Sequence, residues 1–325
     1  MKRLVIVFVL IASMAFAQKP VPVIFDTDIA PDFDDVGAMA LLHAFADKGE
    51  AKILATISCN AFETTGPTLS VLNTYFNRPD VPIGMVAGNF PNDRCKEKWA
   101  EFINAKYPHA LKSNADAEDA VKLYRKLLMS QPDNSVTIIT VGFFSNLAAL
   151  LNSPADVYSS MNGKDLVKRK VKQLVSMAAS LGKDGKGGQE FNVQFDTKAS
   201  QKVFADWPTP MIISGFDIGV EILTGAPLIA DNTITNSPVK DAYDVALKVN
   251  NQKDGRCSWD QTAVYVAVRG IEPYFGTRKI GFKIEDDGRS VPSDNGKFTY
   301  LTFKQTPKEI AKGIEELMHH QPGKK

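Results

Sequence analysis

Short apolar runs rich in β-branched residues alternate along this chain with longer stretches whose apolar residues recur every three or four positions. Runs of the first kind suit strands buried on both faces, and the second spacing lines one side of a helix. Their alternation confines the chain to an α/β architecture, a mainly parallel sheet with helices on both faces. Strands are expected at 21–25, 53–58, 83–87, 136–140, 174–177 and 211–214, and helices at 35–46, 116–130, 146–151, 197–205, 239–250 and 259–268. After Pro273 the pattern changes to alternating runs at 279–284 and 298–303, then a last helix at about 307–319. No internal repeat and no linker rich in Gly, Pro or Ser interrupts this order, so residues 18–325 are expected to form one domain; 44% hydrophobic residues suffice for a large core.

The N-terminus reads as a targeting segment. Lys2 and Arg3 precede an apolar run to Phe16, and Ala15-Phe16-Ala17 has the small-x-small pattern of a cleavage site. Residues 1–17 are therefore expected to be a signal peptide, and the mature chain periplasmic or secreted. The run falls short of the roughly 20 apolar residues that span a bilayer, and no later segment is apolar enough to do so. A formal charge of +1, without a basic excess, argues against nucleic acid as a partner. Cys59, Cys95 and Cys257 lie far apart with no CxxC pair, which fits neither a zinc site nor a disulfide framework and leaves one disulfide open. The loop Lys183-Asp184-Gly185-Lys186-Gly187-Gly188 lacks the Gly-Lys-Ser/Thr of a phosphate-binding loop and reads as a surface turn.

Chemistry concentrates after the first strand, where Asp26, Asp28, Asp32, Asp34 and Asp35 put five carboxylates into ten residues. Ligand sites of open parallel sheets lie beyond the carboxyl ends of the strands, which is where this loop falls. Two charges about 5 Å apart repel by about 3 kcal/mol at an effective dielectric near 20. No Lys or Arg occurs between Asp26 and Asp47 to offset them. A hard divalent cation with oxygen ligands answers that repulsion. Capping of the following helix accounts for Asp34 and Asp35 but not for all five. An EF-hand is excluded, because the sixth position from Asp26 is Pro31 and the twelfth is Gly37. A strand ending in Asp-x-Asp also suits a metal-dependent phosphohydrolase with Asp26 or Asp28 as nucleophile.

With these residues in view, the chain resembles the inosine-uridine preferring nucleoside hydrolase family from about Pro22 onward. The opening aspartates resemble its Asp-x-Asp-Pro-Gly-x-Asp-Asp signature. Thr56-Ile57-Ser58-Cys59-Asn60 is similar to its second-strand loop, and Val141-Gly142-Phe143-Phe144-Ser145-Asn146-Leu147-Ala148 to its Gly-x-x-Thr-Asn-x-Ala turn. Glu190-Phe191-Asn192 matches its Glu-Phe-Asn ribose motif, and Asp260 at the start of an apolar helix resembles the final metal ligand. The resemblance implies a Rossmann-like α/β domain and hydrolysis of ribonucleosides to ribose and base. It implies Ca2+ held by Asp28, Asp35, Asp260 and the Val141 carbonyl, with Asp28 as the base that deprotonates water. It further implies that Asp34, Asn60, Glu190 and Asn192 hold the ribose, and that the protein is a homo-oligomer.

Three departures qualify the match. An asparagine that many members carry upstream of the Glu-Phe-Asn motif has no clear counterpart here, Asp184 being the nearest candidate. The Asp34-Asp35 pair stands two residues further from Asp28 than in the family signature, and Asp32 occupies the shorter spacing as the alternative ribose contact. Trp259 stands where many members carry a histidine; its ring can stack on a base but cannot protonate one. That substitution keeps open an exported nucleoside- or sugar-binding protein with little turnover.

Overall fold

The computed structural model describes residues 19–323. The expected signal peptide, 1–17, lies outside them. The strands in chain order are β1 (Val21–Thr27), β2 (Ala51–Ser58), β3 (Ile83–Met85), β4 (Glu118–Asp119), β5 (Val136–Thr140), β6 (Val171–Met177), β7 (Gly188–Gln189), β8 (Met211–Ser214), β9 (Leu223–Thr224), β10 (Arg256–Cys257), β11 (Phe275–Ile284) and β12 (Arg289–Phe303). Ten of them form one sheet in the order β11-β12-β8-β6-β5-β1-β2-β3-β4, with β7 paired to β12. Pairing is parallel from β12 to β4, and antiparallel where β11 and β7 join β12. β9 and β10 form a separate two-stranded ribbon.

Burial explains why the helices cover both faces. Along β1, Val23 and Phe25 enter one core cluster while Ile24 enters the other, as the two-residue period of a strand requires. The first cluster takes apolar residues of the helices Asp34–Asp47, Thr65–Tyr75, Pro238–Val249, Trp259–Arg269 and Pro307–Met318. The second takes those of Ala120–Ser130, Ser145–Asn152, Gly163–Lys170 and Thr197–Asp206. The α/β expectation is met.

Differences lie in the polar segments. The helices Thr65–Tyr75, Trp99–Lys106 and Gly163–Lys170 were not foreseen. The first opens on Thr, Gly and Pro and is held by burial rather than by helix propensity. The expected run at 298–303 is the end of a 15-residue strand, β12, whose polar stretch around Asp294 and Asn295 conceals it in sequence. No helix among the described residues is long and apolar enough to cross a membrane. Cys59, Cys95 and Cys257 are all free.

Candidate active site

The sheet reverses its order at β1. From β1 the chain proceeds to β2, β3 and β4 on one side, then returns to β5 on the other. At such a switch point the connections leave in opposite directions and open a crevice beyond the strand ends. Here the β1 loop carries Asp28 and the β5 loop carries Val141, with the Val141 N–H bonded to the Asp26 carbonyl at 2.9 Å. Gly142 permits their approach, because a Cβ there would lie 2.4 Å from the Asp28 nitrogen. The resulting cleft, about 330 Å³, is lined by Asp28, Asp32, Asp34, Asp35, Val141, Glu190, Asn192, Trp259 and Asp260 among others.

The acids converge because two helices approach closely at a glycine. The helix Asp34–Asp47 packs on Trp259–Arg269 through Gly37, where a Cβ would meet the Gln261 amide at 2.4 Å. That contact brings the first turns of both helices together. Phe33, not an aspartate, occupies the N-cap of the first helix and makes no side-chain cap bond, so Asp34 and Asp35 are not spent on capping. Ligand atoms of Asp34, Asp35 and Asp260 lie within 4.8 Å of one another, and the Asp260 N–H donates to Asp34 Oδ2 at 3.2 Å. Asp28 stands against Asp35 at the edge of this group rather than inside the three-way cluster. Asp34, expected as a ribose contact, thus sits among the expected ligands.

Asp28, Asp34, Asp35 and Asp260 are each at most 4% exposed. Burial pushes the carboxyls of Asp28, Asp34 and Asp260 well above the usual range, and their mutual repulsion pushes further. Asp35 is raised to about 7 by burial, against the opposing hydrogen bond from the Thr27 hydroxyl. Its Oδ2 is buried without a hydrogen-bond partner among the described residues. Clustered carboxylates with an orphaned buried oxygen fit a hard divalent cation, which would relieve both the repulsion and the missing bond.

Glu190 is the N-cap of the short helix Phe191–Phe195 and accepts from the N–H groups of Asn192 (2.8 Å), Val193 (3.1 Å) and Ala179 (3.2 Å). Burial nevertheless raises its carboxyl to about 7. Asn192 donates to the carbonyls of Val141 and Met177, both at 3.3 Å, and so ties the ends of β5 and β6 to the cleft wall. Asn60 requires a correction. It does not line the cleft; its amide donates to the carbonyls of Asp28 (2.9 Å) and Asp93 (2.7 Å) and accepts from the Asp93 N–H (3.0 Å). It positions the Asp28 and Asp93 loops, leaving its side chain no free group for a sugar. Asp32 is paired with Arg256. Asp26 faces away from the cleft, as its place in the β1 alternation dictates, and accepts from Tyr124 (2.8 Å) and Asn146 (3.2 Å) in the opposite core.

The sequence did not reveal Arg256, Asp93 or Phe216, which also line the cleft. The Trp259 ring stacks on Phe216 with centroids 5.3 Å apart, and its Nε1–H donates to the Phe216 carbonyl at 3.0 Å. A guanidinium four residues before Asp260 has no local signature. The uncompensated charge of the aspartate loop was the available signal that a distant cation was needed.

This fold and cleft define a class. The structure is similar to an inosine-guanosine nucleoside hydrolase (TM-score 0.70, 16% identity, 92% of this chain and 97% of that one). It is equally similar to an inosine-uridine preferring nucleoside hydrolase from Bacillus anthracis (TM-score 0.69, 14% identity, 92% of this chain and 99% of that one). At such identities the likeness shows the nucleoside hydrolase fold alone. Sequence carries it further: the pattern of the inosine-uridine preferring nucleoside hydrolase family matches residues 23–316, and the chain belongs to that family. It is 32% identical over 214 residues to the pyrimidine-specific ribonucleoside hydrolase RihA of Salmonella schwarzengrund (strain CVM19633). That match takes in 61% of this chain and 60% of the relative's length.

Proposed function

We propose that this protein is an exported, calcium-dependent hydrolase of the N-glycosidic bond of ribonucleosides. The observation that carries the proposal is the meeting, in one cleft, of buried carboxylates from both ends of the chain with the Glu190-Phe191-Asn192 segment. Calcium, held by Asp28, Asp35, Asp260 and the Val141 carbonyl with Asp34 beside them, would supply a hard Lewis acid for oxygen ligands. Asp28 stands at the edge of the cluster and takes the proton of the water that attacks C1′. Asp34, Glu190 and Asn192 orient the ribose hydroxyls, and the surrounding carboxylates stabilise the positive charge that develops on the sugar. Export rests on the N-terminal segment's pattern alone.

A second reading, a nucleoside-binding protein with little turnover, has one observation in its favour: the only donor of Trp259 is already bonded to Phe216. The phosphohydrolase reading loses Asp26 as a nucleophile, since that carboxylate faces the other core. The test is release of reducing sugar from inosine, uridine, adenosine, guanosine and cytidine in calcium. Turnover should vanish in EDTA and fall at least about a thousandfold in Asp28→Ala, as expected for loss of a general base. Riboside binding by calorimetry without sugar release supports the binding protein, and turnover of p-nitrophenyl phosphate alone supports the phosphohydrolase.

A further inference from the structure

We propose that Arg256 stabilises the departing nucleobase, the role that Trp259 cannot fill; this rests on the hydrolase reading above. Breaking the C1′–N bond leaves its electron pair on the base nitrogen, and that negative charge must be met by a proton donor or a fixed cation. Trp259 provides neither, because its indole N–H is bonded to the Phe216 carbonyl. Among the described residues Arg256 and Lys96 are the cations that line the cleft, and only Arg256 is held in place.

Three contacts fix the Arg256 guanidinium. It pairs with Asp32, and it lies 4.9 Å from the Trp259 ring centroid and 5.3 Å from that of Phe33. Such cation–π contacts orient the guanidinium plane without consuming its donors. Arg256 stands on the β9–β10 ribbon, and its side chain is only 18% exposed. Its Nε has no hydrogen-bond acceptor among the described residues; Asp34 Oδ1 is 3.8 Å away. Arg256 lines the cleft beside Trp259, so its guanidinium stands where an acceptor atom of a bound base can meet it.

The step balances without an added reagent. The hydroxyl of water bonds to C1′, its proton passes to Asp28 and then to solvent, and the C1′–N electron pair leaves with the base. Arg256 keeps its own proton and donates hydrogen bonds to the anionic base, which then takes a proton from solvent. Asp32 is the positioning residue that holds the guanidinium.

The test compares leaving groups. Wild type, Arg256→Ala and Arg256→Lys are assayed with calcium on inosine and uridine, and on p-nitrophenyl ribofuranoside, whose leaving group departs readily unaided. Arg256→Ala should lower kcat on the nucleosides about a hundredfold, as loss of one transition-state donor does elsewhere, and at least about tenfold less on the nitrophenyl riboside. Arg256→Lys should fall between, and it carries the same comparison if the alanine variant does not fold. Equal losses on both substrate types, or no loss on either, overturn the proposal. A wild type that cleaves neither substrate overturns the hydrolase reading and this one with it. A wild type that cleaves both, with variants insensitive to the leaving group, overturns this one alone.

Discussion

Replacing Asp35 with asparagine should strengthen the metal-free protein and weaken the calcium-loaded one. Asp35 is fully buried, and its carboxyl is raised from 3.8 to about 7, chiefly by burial. One unit of pKa shift is about 1.4 kcal/mol, so holding Asp35 ionised in the folded state above neutral pH costs about 4 kcal/mol. A raised carboxyl contributes its stability while protonated, fully below the unfolded value of 3.8, and loses it as pH rises through about 7. Asparagine removes that loss while its amide oxygen can still accept from the Thr27 hydroxyl. After the cost of burying the amide, a net gain of about 2 kcal/mol remains in EDTA at pH 7.5. For a chain of this size that raises Tm by about 4 °C. Calcium at a thousand times its Kd should stabilise wild type by about 4 kcal/mol and the variant far less. Thermal unfolding by circular dichroism, with EDTA and with calcium, reads both signs. At pH 5 in EDTA the gap should shrink, because wild-type Asp35 is then protonated. A variant that melts lower than wild type in EDTA, or that gains as much from calcium, refutes the reasoning.

Two further substitutions probe the scaffold. Gly142→Ala would place a Cβ 2.4 Å from the Asp28 nitrogen and 2.7 Å from Cys59 Sγ; it should cost about 1–3 kcal/mol in urea unfolding and at least about tenfold in kcat, and wild-type values for both would contradict the close approach. His43 is buried against Phe76 and Asn73, and burial lowers its pKa to about 3. Its contribution is complete above the unfolded value of 6.5 and falls as pH drops toward 3, by at most about 1.4 kcal/mol per unit. His43→Gln should flatten the acid side of the Tm profile relative to wild type, and an unchanged slope would count against a neutral buried imidazole.

The sheet was legible where chemistry is one-dimensional. β1, β2, β5, β6 and β8 each contain a short apolar run rich in β-branched residues or leucine, and each falls where the sequence places a strand. The crowding of acids after β1 was equally plain, because charge density is a property of the sequence itself. Partnerships were not. Asp34 and Asp260 touch through a helix contact that Gly37 permits, and Arg256 reaches Asp32 across 224 positions. Asn60 has the residue type of a sugar ligand, yet it serves two backbone loops, which only the fold could reveal. His43 is buried and stacks on the Phe76 ring, a placement the sequence does not show because no periodicity distinguishes a buried histidine from an exposed one.

The most direct measurement is an anomalous-scattering map of a crystal grown in calcium and soaked with ribose. A single peak bonded to Asp28, Asp35 and Asp260, with the sugar hydroxyls turned toward it and toward Glu190 and Asn192, is the expected result. No peak among these carboxylates at saturating calcium, or a sugar bound away from them, would contradict the metal-centred site.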